Sequence, residues 1–258
     1  MVTEGVRLAK EAASAACDSL MRFAERGFAT REKDDGSLVT DADLASEKAI
    51  LAVLSRATFD AGVLTEEQGV VATHGKTRWI VDPLDGTHRF TRGHRFWGPL
   101  IALEHEGRTI AASMAMPTVD EVYWAGEGEG AYCNGKRLSV SSVSRWRDAL
   151  LCLGSVPRLL ECPCAGALLA LSGSCEYVIA GGDLSGAALV FSGRAEAWVE
   201  TGVKRWDLAP MTLFVEEAGG RATDLTGSPL FGPGESMLIS NGRVHDHVLE
   251  TLQRTVAH

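Results

Sequence analysis

Apolar residues recur every three or four positions at the start of the chain, and farther along they form short continuous runs. The first pattern covers residues 3–24 and predicts an amphipathic helix, and a similar pattern predicts a second helix over residues 44–57. The short runs are bounded by turn residues and predict β-strands, among them 28–31, 96–103 and 109–116. We therefore expect the first half of the chain to combine helices with strands joined by tight turns.

The second half alternates strand-like and helix-like segments. Strands are predicted at 149–153, 177–179, 197–200 and 237–240, and helices at 165–172, 184–192, 207–218 and 246–253. Such alternation favours layered α and β structure. We predict an α/β protein with an N-terminal half, residues 1–140, and a C-terminal half, residues 141–258, packed as one unit.

Composition and charge limit the partners and the location. Hydrophobic residues make up 45% and charged residues 23% of the 258 positions, which is ordinary for a globular protein. The formal net charge is −9 without a basic block, so we expect no nucleic acid and no anionic membrane as partner. No apolar run reaches the roughly 18–20 residues of a membrane span. The N-terminus does not resemble a signal sequence, so a cytoplasmic location is predicted.

Six cysteines are scattered along the chain, which predicts reduced, mostly buried thiols and no disulfide framework. They are Cys17, Cys133, Cys152, Cys162, Cys164 and Cys175. Cys162-Pro163-Cys164 is the one cluster, and the second cysteine or histidine pair that a zinc site would need is not visible.

A D-P-L-D-G-T run at residues 82–87 concentrates charge where a predicted strand ends. Its carboxylates, Asp82 and Asp85, are three residues apart, and the proline between them fixes a backbone dihedral. The glycine permits a tight turn, and the threonine opens a helix whose first amides are unpaired. This arrangement suits a divalent cation, with the amides facing an anion such as phosphate. The alternative is an Asp-rich turn that only caps a helix.

Further acidic residues lie beside other predicted elements. Glu66 and Glu67 follow a short apolar run, where surface charge is the ordinary explanation. Asp41 and Asp43 precede the second helix, and either is a candidate N-cap, although capping needs only one of them. Asp207 begins a helix in the second half.

Three of these segments occur in an order typical of one enzyme family. They are E-E at 66–67, D-P-L-D-G-T at 82–87, and W-D at 206–207, which opens a helix ending in E-E-A-G-G at 216–220. Together they resemble the inositol monophosphatase superfamily of magnesium-dependent, lithium-sensitive phosphatases, and a K-x-x-x-S-x-V-T segment from Lys33 to Thr40 also fits. The resemblance implies a five-layer αβαβα sandwich of the inositol monophosphatase and fructose-1,6-bisphosphatase type, and a homodimer.

The resemblance also implies roles for single residues. The ligands of two or three Mg²⁺ ions would be Glu66, Asp82, the Leu84 carbonyl, Asp85 and Asp207, with Asp82 bridging two ions. The catalytic residues would be Glu66, Asp43 and Thr87, the last two orienting and helping to deprotonate the attacking water. The amides of Gly86 and Thr87 would hold the phosphate of a small phosphorylated metabolite.

Segments around this core resemble the histidinol-phosphatase branch of the superfamily. They are W-G-x-L-I-x-L at 97–103, G-G-D at 181–183 and E-x-G-x-K at 200–204. Histidinol phosphate is therefore the first predicted substrate, with Asp183 and Glu200 pairing with its ammonium and imidazole groups. For Asp183 the alternative is a cap of the helix at Leu184.

Two residues depart from the family pattern. Arg89 stands where the family usually has Asn, and Thr65 stands where a Gly normally precedes the Glu pair. Arg89 either contacts an anionic group of the substrate or faces solvent. The change leaves open inositol-1-phosphate or another cyclitol, sugar or nucleotide phosphate as substrate. A catalytically silent binding protein on the same fold is the hypothesis of another class, and the presence of every predicted ligand carboxylate argues against it.

Overall fold

Both halves of the protein mix helices with sheets, which confirms the predicted α/β class. The computed structural model describes residues 1–73, 75–230 and 236–254. The chain forms two compact units, Met1–Lys136 and Arg137–His258. Within the described ranges, no helix combines the length and apolar character needed to cross a membrane.

The first unit is built on one large sheet. Its helices are α1 (Val2–Arg26), α2 (Asp41–Leu54) and α3 (Thr87–Phe90). Its strands are β1 (Thr30–Glu32), β2 (Leu38–Thr40), β3 (Gly62–Thr65), β4 (Gly69–Ala72), β5 (Thr77–Asp85), β6 (Gly98–His105), β7 (Arg108–Met116), β8 (Glu121–Gly126), β9 (Gly130–Cys133) and β10 (Lys136–Arg137). β1 and β2 form a separate hairpin, and the large sheet has the order β10-β9-β8-β7-β6-β5-β3-β4. β5 is parallel to β3 and antiparallel to β6, so it lies inside the sheet.

Two apolar clusters support β5. In the first, small and apolar residues of α1, such as Leu8 and Ala12, pack with Trp79 and Leu103 of the sheet. The second cluster contains Leu20, Ala42, Leu84, Phe90 and Trp97. The rings of Phe90 and Trp97 meet edge to face, 4.8 Å apart, an arrangement that aromatic quadrupoles favour. The turn that follows β5 therefore packs on a buried apolar cluster.

The second helix begins three residues earlier than the sequence pattern predicts. Thr40 is its N-cap: the Thr40 hydroxyl accepts hydrogen bonds from the amides of Ala42 and Asp43, and the Asp43 carboxylate accepts one from the Thr40 amide. This capping box satisfies first-turn amides that a helix leaves unpaired. The interpretation of Asp41 or Asp43 as the N-cap is wrong, because both lie inside the first turn.

The second unit has a five-stranded mixed sheet with the order β12-β11-β13-β15-β14. Its strands are β11 (Leu150–Leu153), β12 (Tyr177–Ala180), β13 (Ala197–Thr201), β14 (Arg221–Thr223) and β15 (Ser236–Ser240). Its helices are α4 (Val156–Glu161), α5 (Ala165–Ser172), α6 (Asp183–Phe191), α7 (Arg205–Glu217) and α8 (His245–Arg254). Residues of α5 and α8, among them Leu168 and Val248, share a core with Leu151 and Val199 of the sheet. α6 and α7 pack together through the stacked rings of Phe191 and Phe214.

One cysteine prediction is wrong. Cys162 and Cys164 are joined by a disulfide between the end of α4 and the start of α5, so these two are not reduced thiols. No other disulfide joins cysteines in the described part of the chain. Burial raises the pKa of the Cys17 and Cys152 thiols to about 12, which fits inert core residues.

Candidate active site

Two carboxylates meet where β5 leaves the sheet. The pairing of β5 with β6 shifts register between Asp82 and Asp85, where Pro83 cannot donate to the ladder. Asp82 is only 2% exposed, and its Oδ1 accepts a hydrogen bond from the Leu84 amide at 2.9 Å. An oxygen of Asp82 and an oxygen of Asp85 lie within 4.8 Å of each other. Hard, negatively charged oxygens at this spacing suit a divalent cation such as Mg²⁺, which counters the repulsion between them.

A glycine lets the chain turn tightly after these carboxylates. Gly86 has φ +82°, and a Cβ there would lie 3.2 Å from the Phe96 carbonyl oxygen and 3.3 Å from the Trp97 Cβ. Any side chain would therefore meet both backbone strain and crowding. Thr87 follows, and its hydroxyl lies 3.0 Å from the Leu84 carbonyl oxygen and 3.2 Å from Asp43 Oδ1.

Asp43 connects α2 to this turn. Its Oδ2 accepts hydrogen bonds from the Thr40 amide at 2.7 Å and from the Thr40 hydroxyl at 2.5 Å, which leaves Oδ1 toward Thr87. Burial raises the pKa of Asp43, and the negative charge of Glu66 raises it further. The hydrogen bonds from Thr40 lower this pKa, but burial outweighs them. A buried carboxylate with a raised pKa is a stronger base than an exposed one.

The Glu66-Glu67 turn is held by a lysine. The Glu66 amide donates to the Val81 carbonyl at 3.0 Å, which continues the pairing of β3 with β5. Lys33 Nζ lies 2.9 Å from Glu66 Oε1 and 2.7 Å from Glu67 Oε1. Burial raises the pKa of Glu67 to about 7, against the pull of Lys33. Burial lowers the pKa of Lys33, but its contacts with the Glu67 and Glu66 carboxylates have the larger effect, so the pKa of Lys33 is raised.

In the second unit, Asp207 occupies the first turn of α7. Its Oδ2 accepts a hydrogen bond from the Lys204 amide at 2.7 Å, so one oxygen caps the helix. A carboxylate has two oxygens, so a helix-capping bond to one of them does not prevent the group from serving as a metal ligand.

Asp183 and Glu200 are neighbours in the second unit. Both oxygens of Glu200 accept from the Ser155 amide, at 2.8 and 3.1 Å, and Oε1 also accepts from the Thr201 amide at 3.0 Å. Burial raises the pKa of Glu200, the amides oppose the shift, and the charge of Asp183 adds to it. Asp183 has φ +59° and is the first residue of α6, whereas Gly182 is the N-cap. The interpretation of Asp183 as a cap is therefore wrong.

Sequence reasoning missed how two residues, Thr40 and Ser46, support the site. Thr40 could have been found from the T-x-x-D spacing before α2, which resembles a capping box. Ser46, whose hydroxyl donates to the Pro83 carbonyl at 2.7 Å, carries no local signal because its partner is 37 residues away. Arg89, for which the sequence left open a substrate contact or a solvent-facing position, is half-buried on α3.

Comparison with known proteins gives consistent matches over most of the chain. The sequence model of the inositol monophosphatase family matches residues 1–257. A histidinol-phosphatase of Mycobacterium tuberculosis is 37% identical over 238 residues, covering 90% of this chain and 91% of that protein. An inositol-1-monophosphatase of Mesorhizobium japonicum is 33% identical over 230 residues, covering 87% of this chain and 86% of that protein. The solved structure of extragenic suppressor protein suhB from Bartonella henselae has a TM-score of 0.89 at 29% identity, covering 96% of this chain and 98% of that one.

Proposed function

Because the chain belongs to the inositol monophosphatase family, we propose that it hydrolyses a small phosphate monoester with Mg²⁺, and that histidinol phosphate is its substrate. The family, predicted from the sequence motifs, and the α/β class, predicted from the alternation of strands and helices, are confirmed by the comparisons. The observation that carries the proposal is the pair of carboxylates, Asp82 and Asp85, within 4.8 Å at the end of β5 and directly before the Gly86 turn.

The proposed ligands follow from the chemistry of the residues present. Asp82 and Asp85 supply paired hard oxygens, and the Leu84 carbonyl lies in the same turn. We propose Glu66 and Asp207 as further ligands on the strength of their motifs. When bound, two or three Mg²⁺ ions would lower the pKa of a coordinated water and neutralise charge on the leaving oxygen.

The protein's own groups would orient the water and hold the phosphate. Asp43 Oδ1 and the Thr87 hydroxyl, 3.2 Å apart, form the proposed relay that positions the water and accepts its proton. The raised pKa of Asp43 supports this role. The amides of Gly86 and Thr87 are the proposed phosphate contacts.

Two observations favour histidinol phosphate. Asp183 and Glu200 place two acidic groups close together, which suits the ammonium and imidazole of histidinol better than a neutral polyol. The relative from Mycobacterium tuberculosis is itself a histidinol-phosphatase. The proposed role of Arg89 is a contact with an anionic group of the substrate.

Inositol-1-phosphate is the second candidate, supported by the similarity to the Mesorhizobium japonicum enzyme. Phosphate release from histidinol phosphate, inositol-1-phosphate, sugar phosphates and nucleotide phosphates, with Mg²⁺ alone, with added Li⁺ and with EDTA, separates the candidates. We expect Mg²⁺-dependent, Li⁺-inhibited release that is fastest with histidinol phosphate. Equal turnover of every ester would refute that substrate, and no turnover of any ester would favour a silent binding protein. Light scattering on the same sample tests the proposed homodimer.

Asp183→Gly tests the substrate contact without an added backbone penalty. Glycine adopts φ +59° freely, so the substitution adds no backbone strain, whereas the lost carboxylate should raise KM for histidinol phosphate about tenfold or more with a smaller change in kcat. Asp120→Gly is the matched control, because Asp120 has φ +56° at the end of a 3₁₀ turn in the first unit. An unchanged KM in Asp183→Gly would remove Asp183 from the substrate site.

A further inference from the structure

A buried glutamate on α2 has no role in the mechanism described above. Glu47 is 1% exposed and lies one helical turn after Asp43, on the same side of α2. Its Oε2 accepts a hydrogen bond from the Gln68 side-chain amide at 2.5 Å. Among the described residues, no hydrogen-bond donor reaches its Oε1.

Gln68 belongs to the turn that carries Glu66. Thr65 ends β3 and is fully buried, and its hydroxyl oxygen accepts a hydrogen bond from the Gln68 amide at 3.1 Å. Gln68 is therefore held by its backbone through Thr65 and by its side chain through Glu47. Glu66 lies between these fixed points. The hydroxyl explains why Thr65 suits this turn, where the family pattern has a glycine that offers no acceptor side chain.

Burying the Glu47 carboxylate in the core lowers the stability of the fold. A carboxylate removed from water, with an oxygen that receives no protein donor, opposes folding, and an apolar side chain of similar size would fold at least as well. Its hydrogen bond joins α2, which carries Asp43, to the turn that carries Glu66, across 21 residues of sequence. The group therefore links two segments of the site at a cost in stability.

We propose that Glu47 is a positioning residue that acts through Gln68 to hold Glu66 in its metal-binding geometry. The inference rests on the proposed function, because it takes Glu66 as a Mg²⁺ ligand. Residues that orient metal ligands typically change metal affinity by about 10–100-fold when they are removed. Glu47 thereby sets the affinity for Mg²⁺ without touching the ion.

The test is Mg²⁺ binding to the full-length protein without substrate, measured by isothermal titration calorimetry beside thermal unfolding in EDTA. We expect Glu47→Met to weaken Mg²⁺ binding about tenfold or more while the unfolding temperature in EDTA stays equal or rises. Glu47→Gln keeps an acceptor for Gln68 and should retain most of the affinity. Gln68→Met, at an exposed position where folding is not at risk, should reproduce the loss. The double variant Glu47→Met with Gln68→Met should lose no more than either single variant.

Lys48→Met is the control, because Lys48 is the adjacent residue on the exposed side of α2. It should bind Mg²⁺ like the wild type. Wild-type affinity in both Glu47→Met and Gln68→Met, while the wild type binds Mg²⁺, would overturn the positioning role alone. A lower unfolding temperature with unchanged affinity would show a structural role and also overturn it. A wild type that binds no Mg²⁺ would overturn the proposed function together with this inference.

Discussion

Replacing Asp82 by Asn is expected to stabilise the metal-free protein and to abolish its activity. The Asp82 and Asp85 carboxylates lie within 4.8 Å of each other, and Asp82 is buried. At an effective dielectric constant of about 20, two unit charges at that distance repel by about 3.5 kcal/mol. Asn keeps the size of the side chain and an oxygen that accepts the Leu84 amide, while the negative charge and the second acceptor oxygen are lost. Because Asp85 is partly exposed, we expect about 2 kcal/mol of stabilisation after screening.

Thermal unfolding measured in EDTA and in Mg²⁺ checks this prediction. About 2 kcal/mol corresponds to a rise of about 5 °C in a protein of this size. In Mg²⁺ the order should reverse, because the wild type gains binding energy that Asp82→Asn lacks. Asp18→Asn, on α1, removes the same charge at a solvent-exposed position and should change neither value. A variant that is less stable in EDTA and retains activity would refute both the repulsion and the metal assignment.

Three other predictions address the turn, the pH response and the disulfide. Gly86→Ala should lower the unfolding free energy by about 2 kcal/mol in urea titrations, because alanine at φ +82° is strained and crowds the Phe96 carbonyl; no loss would show that the turn can relax. Burial lowers the pKa of His245 from about 6.5 when unfolded to about 4, so the free energy of unfolding should fall as pH drops from 6.5 toward 4, by up to about 3 kcal/mol. Urea titrations across that pH range should show a smaller fall in His245→Gln than in the wild type, and equal falls would contradict the assignment. Mass spectrometry should find Cys162 and Cys164 alkylated only after reduction, and labelling without a reductant would refute the disulfide.

Local patterns predicted much of the fold because their signals lie within a few residues. The 3.6-residue period located α1, and the apolar run before Asp82 located β5, since each records which face of an element is buried. The order of the motifs at 66–67, 82–87 and 206–207 identified the family. The start of α2 was misplaced because Thr40 caps through its side chain, which the apolar period does not report.

Contacts between distant segments were beyond sequence reasoning. Lys33 reaches Glu67 across 34 residues, and no periodicity indicates such a partner. The left-handed backbone of Asp183 was also missed, because aspartate tolerates that conformation without requiring it. The prediction of reduced cysteines was wrong at Cys162 and Cys164. It relied on the wide distribution of six cysteines along the chain, which does not report that two of them, two residues apart, meet in a tight turn.

The packing around Glu200 couples three residues of the second unit, Gly154, Gly182 and Glu200. A Cβ at Gly154 would lie 1.8 Å from Glu200 Oε2, and one at Gly182 would lie 2.8 Å from the same atom. Neither glycine can mutate while Glu200 keeps its place, and shortening Glu200 leaves the Ser155 and Thr201 amides without their acceptor. A single substitution at any of the three positions is therefore expected to displace Glu200 or to leave these amides without an acceptor. A change at one position is expected to be tolerated only together with changes at the others.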